Sequence, residues 1–234
     1  MKCGVVVFPG SNCDHDVYHV LAHVLGCETS FLWHEATELG ELDLIVVPGG
    51  FSYGDYLRAG ALAAQSPILG SVREFAERGG LVLGICNGFQ ILQECGLLPG
   101  AMRRNRTLRF ECRDVFLRVE RSDLAFTSRY QPGSVLRIPI AHAEGNYEDT
   151  PDGLEKSEAH GQVVFRYVSP AGARDDAWNF NGSANAIAGV VNRSGNVLGM
   201  MPHPERCAEE ILGNRDGLAL FEGLVSSLAA EGAA

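Results

Sequence analysis

Long apolar runs are missing from this chain. None approaches the roughly 20 residues that a membrane-spanning helix needs, so no membrane partner is expected. Positive charge is in deficit: 19 Lys and Arg stand against 29 Asp and Glu, for a formal net charge of -10 and a pI of about 5.1. A nucleic-acid binder ordinarily carries a basic patch. The nearest candidate, Arg103, Arg104, Arg106 and Arg109, is short and has acidic neighbours, which argues against a nucleic-acid partner. Paired cysteines are absent too. Cys3, Cys13, Cys27, Cys86, Cys95, Cys112 and Cys207 are odd in number, widely spaced and contain no CxxC. That pattern excludes a disulfide framework and a Cys-rich zinc site, and fits reduced thiols of which one is reactive. Met1-Lys2-Cys3-Gly4 leads straight into a strand-like segment, without the features of a signal peptide, and the expected compartment is the cytoplasm. No glycine-rich phosphate loop of the Walker type is present, so ATP is not expected on this chain.

What is present suffices for a packed core: 234 residues, 46% hydrophobic, with no tract poor in apolar residues. Gly4 to Phe8 is an apolar run stopped by Pro9-Gly10, the pattern of a strand buried on both faces. Ser11, Asn12 and Asp14 offer caps for a helix from about Asp14 to Leu25, ended by Gly26. Thr29 to Trp33 and Leu42 to Val47 read as further strands, the latter cut off by Pro48-Gly49-Gly50. After a loop from Phe51 to Gly60 come a helix within 61–78, a strand from Leu81 to Ile85, and a helix from about Phe89 to Cys95. Strands alternating with helices predict a parallel α/β arrangement. The second half differs. Val115–Val119, Val135–Ile140 and Val163–Val168 read as antiparallel strands or a meander, and Asn185–Val191 and Val197–Met201 as two strands joined by a turn. From Glu209 onward an amphipathic helix and a small-residue tail close the chain. With no linker or internal repeat, the expectation is one α/β domain over 1–234, a flavodoxin-like mixed, mostly parallel sheet with helices on both faces.

Three features carry chemistry. Gly84-Ile85-Cys86-Asn87-Gly88, between a strand and a helix, is the thiol version of the G-x-S-x-G nucleophile elbow. The turn is tight, so small neighbours must let strand and helix approach. The helix N-terminus then favours a thiolate, and the Asn87 N–H can face an oxyanion. A buried, inert Cys in a βα turn would look similar. The second feature is Pro202-His203-Pro204-Glu205. Its prolines disfavour a helix, and in extended backbone residues i and i+2 share a side, so Glu205 can orient the His203 imidazole. A surface loop with an accidental His and Glu is the alternative. The third is Pro48-Gly49-Gly50-Phe51 at a strand's C-terminal edge, where the Gly50 N–H can complete an oxyanion hole, or where the glycines merely make a turn. A further stripe, His15, His19 and His23, recurs every fourth residue on the first predicted helix. It lacks a convincing completing ligand beyond Asp16 or Cys13, and a polar helix face is the better reading than a metal site.

Taken in this order, the three features resemble the class I, triad-type glutamine amidotransferases. The surrounding residues narrow the resemblance to the glutaminase subunits of phosphoribosylformylglycinamidine synthases: Pro9-Gly10-Ser11-Asn12-Cys13-Asp14, the long motif from Pro48 to Ala61, Gly84-Ile85-Cys86-Asn87-Gly88-Phe89-Gln90, Pro139-Ile140-Ala141-His142, Asn181-Gly182-Ser183, and Met201-Pro202-His203-Pro204-Glu205-Arg206. The chain departs from the pattern at Phe180, at Ala143 and through Asp152–Asp176. The resemblance implies Cys86 as nucleophile, His203 as acid and base, Glu205 as its orienter, Gly50 and Asn87 as oxyanion donors, and Gln90 as a glutamine contact. It implies no metal and no cofactor on this chain. ATP and Mg would belong to a synthetase partner that makes formylglycinamidine ribonucleotide, accompanied by a small accessory subunit. Two other readings are a silent regulatory subunit and a Cys-elbow hydrolase or glyoxalase-like protein. The first leaves Cys86, His203 and Glu205 without a task, and the second has no need of His203-Pro204-Glu205.

Overall fold

The computed structural model describes residues 1–231. Four apolar runs form the first strands: β1 (Lys2–Val7), β2 (Glu28–Trp33), β3 (Leu44–Val47) and β4 (Leu81–Ile85). Helix α1 (Asp14–Tyr18) continues through a wider π-helical stretch, His19–Val24, and so fills most of the expected span. Helix α2 (Ile68–Glu77) follows the loop. Helix α3 (Asn87–Glu94) starts two residues earlier than expected, directly after Cys86. The second half supplies β5 (Ala101–Arg103), β6 (Glu111–Val119), β7 (Val135–His142), β8 (Asn146–Glu148), α4 (Pro151–Ala159), β9 (Val163–Val168), β10 (Ile187–Val191), β11 (Val197–Met200) and α5 (Leu218–Glu231).

One nine-stranded sheet has the order β2-β1-β3-β4-β11-β10-β9-β6-β7, and β5 pairs separately with β8. From β2 to β11 every pairing is parallel; from β11 to β7 every pairing is antiparallel. The mixed α/β sheet expected from the sequence is therefore the architecture observed. Strand β11 joins the two halves. Register sets Val47 beside Gly84 and Met200 beside Ile85. The segments that leave β3, β4 and β11 consequently emerge side by side at one sheet edge, the C-terminal edge where α/β sheets bind ligands.

Two elements differ from expectation. Helix α4 is absent from the sequence reading, yet its start signals are present: the Thr150 hydroxyl accepts the Gly153 N–H at 3.0 Å, and Pro151 occupies the first turn. The terminal helix begins at Leu218 rather than near Glu209, because Glu210–Leu212 forms a 3-10 turn ended by Gly213 at φ 91°. It buries Leu218, Leu220, Phe221 and Leu224, a broader apolar surface than an amphipathic stripe. The part of the small-residue tail beyond 231 lies outside the described residues.

Glycine sets how close α3 comes to the sheet. A Cβ on Gly88 would lie 1.8 Å from the Val47 carbonyl oxygen, and one on Gly84 would lie 2.5 Å from Leu92 Cδ1 and 2.9 Å from the Gly88 oxygen. Gly199, the β11 partner of Gly84, would push a Cβ to 2.2 Å from the Phe89 ring. The two glycines of the elbow thus pack on each other, as the motif demands. Gly88→Ala is expected to destabilise the fold by about 3 kcal/mol, the upper end of overpacking costs, since the obstacle is backbone. Gly70 in α2 is exposed, and a Cβ there would have nothing within 4 Å, so Gly70→Ala is expected to stabilise by about 0.5–1 kcal/mol. Urea unfolding of both variants checks the pair; equal shifts would show that α3 does not depend on this close approach.

Candidate active site

Cys86 stands at the turn from β4 into α3 with φ 50° and ψ -106°, a conformation that L-residues rarely adopt and that costs about 1–3 kcal/mol. Neighbours hold it there. Its N–H donates to the Met200 carbonyl at 2.7 Å, and its own carbonyl accepts the Gln90 N–H at 3.2 Å, the first bond of α3. The side chain is 5% exposed, with Sγ 3.8 Å from the Ala141 carbonyl. Residue 86 therefore presents its thiol at the N-terminus of an eight-residue helix.

His203 and Glu205 do come together, but not by the expected route. Pro204 opens a 3-10 turn, Pro204–Cys207, so Glu205 lies in its first turn rather than on an extended segment. Proline is tolerated there because a helix's first N–H groups have no partner anyway. His203 precedes the turn, and its N–H donates to the Pro139 carbonyl at 2.8 Å. Its Nδ1 lies 2.6 Å from Glu205 Oε1. An ionised carboxylate only accepts, so Nδ1 carries a proton, and the proton available for exchange is the one on Nε2. Nε2 is buried, with no hydrogen-bond partner among the described residues, and faces the thiols of Cys86 and Cys13. Burial opposes a charged ring, but the Glu205 carboxylate and Cys86 beside it carry the His203 pKa well above the ordinary imidazole value.

The third feature packs against the same point. A Cβ on Gly49 would lie 2.8 Å from His203 Cε1, 3.1 Å from Cys13 Sγ and 3.4 Å from Cys86 Cβ. Gly50 has φ 143° and pairs with Ser11, and a Cβ there would lie 2.9 Å from the Asn12 nitrogen. Only glycine fits at either position. As the first residue of α3, Asn87 has no carbonyl one turn earlier to take its N–H. Its side chain accepts the Ser52 N–H at 3.1 Å and donates to Asp55 at 3.2 Å and to Gln90 Oε1 at 3.0 Å. Gln90 Nε2 donates to the Glu144 carbonyl at 2.6 Å. A cavity of about 200 Å³ opens beside His203, lined by Asn12, Cys13, Gly50, Phe51, Phe110, Ala141 and Arg206. Gly50 and His203 thus border it directly. Asn87 and Gln90 do not; their side chains instead brace the loop that follows Phe51.

Several residues of the site are silent in the sequence. Cys13, Asn12 and Arg206 belong to motifs that carry the resemblance, yet nothing in their spacing gives them a task. Arg206 Nη2 donates to Cys13 Sγ at 2.9 Å, and its Nε lies 3.3 Å from Asp16. His142, behind the site, is neutral: burial and the nearby His203 hold its pKa down at about 3, and its Nδ1 lies 3.1 Å from Asn105 Oδ1. The histidine stripe on the first helix is polar surface. His19 pairs with Glu209 at 2.7 Å, and His15 packs on Phe31. Among the described residues, the group with metal-ligand proximity is Cys13, His203 and Glu205 instead.

Comparison with known proteins adds a family. Residues 1–217 match the model of the CobB/CobQ-like glutamine amidotransferase domain. The chain is 59% identical over 230 residues to the phosphoribosylformylglycinamidine synthase subunit PurQ of Synechococcus elongatus, covering 98% of this chain and 100% of that one. It is 57% identical over 225 residues to the subunit of the same name from Moorella thermoacetica, covering 96% and 95%. Among solved structures it is similar to a chain of PurLQS from Thermotoga maritima, with a TM-score of 0.86 and 47% identity over 97% of this chain and 98% of that one.

The Asp55 carboxylate provides a pH test of the bracing loop. Burial and the nearby Glu144 raise its pKa to about 6, against the counteracting hydrogen bond from Asn87. A carboxyl raised above its unfolded value of about 4 favours the fold when protonated, and that contribution is lost as pH rises through the folded value. Asp55→Asn keeps an acceptor for Asn87 and removes the charge. It is expected to raise stability by about 1 kcal/mol near pH 7.5, after allowing for solvent screening of this half-buried group. The gain should fade between pH 6 and about 4. Thermal melts across that range check this; a gain independent of pH would assign it to something other than ionisation.

Proposed function

This chain belongs to the CobB/CobQ-like glutamine amidotransferase family, and we propose that it works as the glutaminase subunit of a phosphoribosylformylglycinamidine synthase through Cys86, His203 and Glu205. It hydrolyses glutamine to glutamate and ammonia and passes the ammonia to a synthetase partner in purine biosynthesis. The observation that carries the site assignment is one convergence. A thiol on a strained turn at a helix N-terminus, a buried imidazole whose Nε2 has no hydrogen-bond partner, and a carboxylate 2.6 Å from its Nδ1 meet at one sheet edge.

The chemistry follows from those positions. Cys86 passes its thiol proton to His203 Nε2, and the Sγ thiolate attacks the side-chain amide carbon of glutamine. The carbonyl oxygen becomes an oxyanion, which the N–H groups of Gly50 and Asn87 receive, each lowering the barrier by about 3 kcal/mol. His203 gives a proton to the leaving ammonia, and the tetrahedral intermediate collapses to a thioester. The neutral imidazole then takes a proton from water as it attacks, and glutamate leaves with the thiol restored. Glu205 holds the Nδ1–H tautomer and balances the imidazolium. Asn87 and Gln90 act at one remove, since their amides fix the loop from Ser52 to Asp55 and the Glu144 carbonyl against α3.

ATP and Mg are assigned to the partner, which converts formylglycinamide ribonucleotide to the amidine, with a small accessory subunit in the assembly. The proposed compartment is the cytoplasm, supported by seven cysteines that are all free thiols. No helix among the described residues is long and apolar enough to cross a membrane.

Cys86→Ala in the assembled complex should abolish amidine formation from glutamine and leave formation from ammonium salt intact. Loss with both nitrogen sources would mean that this chain also builds the synthetase site, and retained glutamine-driven synthesis would remove Cys86 from the mechanism. Glu205→Gln should fold normally and lower glutamate release by about a hundredfold or more, less than Cys86→Ala does. Glutamate release equal to that of the unsubstituted protein would take Glu205 out of the proposed triad.

A further inference from the structure

The glutaminase scheme fixes the reacting end of glutamine and leaves its α-amino acid end unassigned. Beside α3, the loop Ser52–Asp55 carries groups with no work in that scheme. Asp55 Oδ1 accepts the Asn87 Nδ2–H at 3.2 Å, and Oδ2 has no hydrogen-bond partner among the described residues. Glu144 lies near enough for its charge to act on Asp55. Among the described residues no cation pairs with Asp55: Arg58 is held by both carboxylate oxygens of Glu94, and Arg104 lies 3.8 Å from Glu144. The Ser52 hydroxyl is buried, with the residue 2% exposed, and it too has no partner among the described residues. We propose that the Asp55 carboxylate, with the Ser52 hydroxyl and Glu144 beside it, is the subsite that receives the α-ammonium group of glutamine. Such a subsite presupposes the glutaminase function proposed above.

The geometry suits that group. With the amide oxygen of glutamine at the N–H groups of Gly50 and Asn87, its amide carbon lies at Cys86 Sγ, where α3 begins. In an extended side chain the α-nitrogen is about 5 Å from that carbon, close to one helical turn. Asp55 falls within that span, since Asn87, the residue after Cys86, bonds to it directly. An ammonium group offers three N–H donors and no acceptor. Asp55 Oδ2, the Glu144 carboxylate and the Ser52 hydroxyl are acceptors, and the Ser52 N–H is tied to the same Asn87 amide that holds Asp55. Burial and Glu144 raise the Asp55 pKa to about 6, so near pH 7.5 its carboxylate is ionised but uncompensated, and a cation offsets the repulsion from Glu144. The loop is held in place for this task. Tyr53, Gly54 and Asp55 all have positive φ, of 53°, 67° and 54°. Left-handed backbone at non-glycine residues persists only where neighbours hold it, and the Tyr53 hydroxyl is anchored on His34 at 2.9 Å and on Ser66 at 3.2 Å. No bond is made or broken at this subsite. It orients glutamine and selects against carboxamides that lack the ammonium group.

Removing the ammonium group from the substrate and the charge from Asp55 should strike the same contact. Ammonia release by the assembled complex is measured with glutamine and with glutaramate, which is glutamine without its α-amino group. The unsubstituted complex should use glutamine with a kcat/KM about fiftyfold higher, as expected for hydrogen bonds between charged groups. Asp55→Asn should lower kcat/KM for glutamine by about tenfold or more, through KM rather than kcat, and change that for glutaramate by less than about threefold. Ser52→Ala should show the same selectivity with a loss of about fivefold for glutamine. The melting point of Asp55→Asn, expected above that of the unsubstituted chain near pH 7.5, verifies the fold. Equal losses with both substrates in Asp55→Asn would overturn the proposal and leave Asp55 as a brace for its loop. An unchanged kcat/KM for glutamine in that variant would overturn it as well, and an unchanged value in Ser52→Ala would remove the hydroxyl from the subsite. An unsubstituted complex that releases no ammonia from glutamine would refute the glutaminase function, and the subsite with it.

Discussion

The approach of α3 to the sheet governs everything the site can do. Gly88 lies against the Val47 carbonyl, Gly84 against Gly88 and Leu92, and Gly199 under Phe89, so glycines let one helix approach three adjacent parallel strands closely. That contact forces the turn at Cys86 into its unfavourable backbone angles. The same contact aims the helix N-terminus past the thiol and brings the end of β3, with its two glycines, within reach of the same sulfur. A bulkier residue at any of these glycines would separate the parts before it altered their chemistry.

The antiparallel half of the sheet contributes differently. Its strand β7 supplies carbonyl groups: Pro139 receives the His203 N–H, and Ala141 faces Cys86 Sγ. Behind them His142 stays neutral and bonded to Asn105, whose side chain also donates to the His142 carbonyl and accepts the Gly145 N–H. This polar layer is hydrogen-bonded and uncharged. The thiol, imidazole and carboxylate of the proposed triad therefore lie on the segments that follow β4 and β11, and the antiparallel half adds charge nearby through Glu144, which acts on Asp55.

Much of this is legible in the residues, for identifiable reasons. Strands buried on both faces announce themselves as unbroken apolar runs, as Leu44–Val47 does, and a nucleophile elbow needs its glycines at fixed offsets from Cys86. The pairing of His203 with Glu205 is expected for a reason that the structure replaces. The prolines suggest extended backbone, whereas Pro204 starts a short 3-10 turn that serves the same geometry. Position within a turn, not the residue type, decides what proline does. What stays hidden depends on contacts distant in sequence. Cys13 lies on the first helix's approach and meets Arg206 from the far end of the chain. The resemblance makes Gln90 a glutamine contact and the Asn87 N–H an oxyanion donor, and only the fold shows the side-chain amides bonded to the Glu144 carbonyl and to the Ser52–Asp55 loop. Helix α4 escapes notice because its capping Thr150 introduces a polar, weakly patterned segment.

Strand β11 has one more consequence, which concerns time rather than space. It is the last strand to be synthesised, yet it sits in the middle of the sheet, between β4 and β10. Until it inserts, Cys86 lacks the Met200 carbonyl that anchors its strained turn, and His203 and Glu205, which follow β11 in the chain, are made later still. A nascent chain carries the proposed nucleophile with neither its proposed base nor the anchor of its turn. The strained turn at Cys86 thus gains its anchor, and the proposed site its remaining parts, in the same event that closes the sheet.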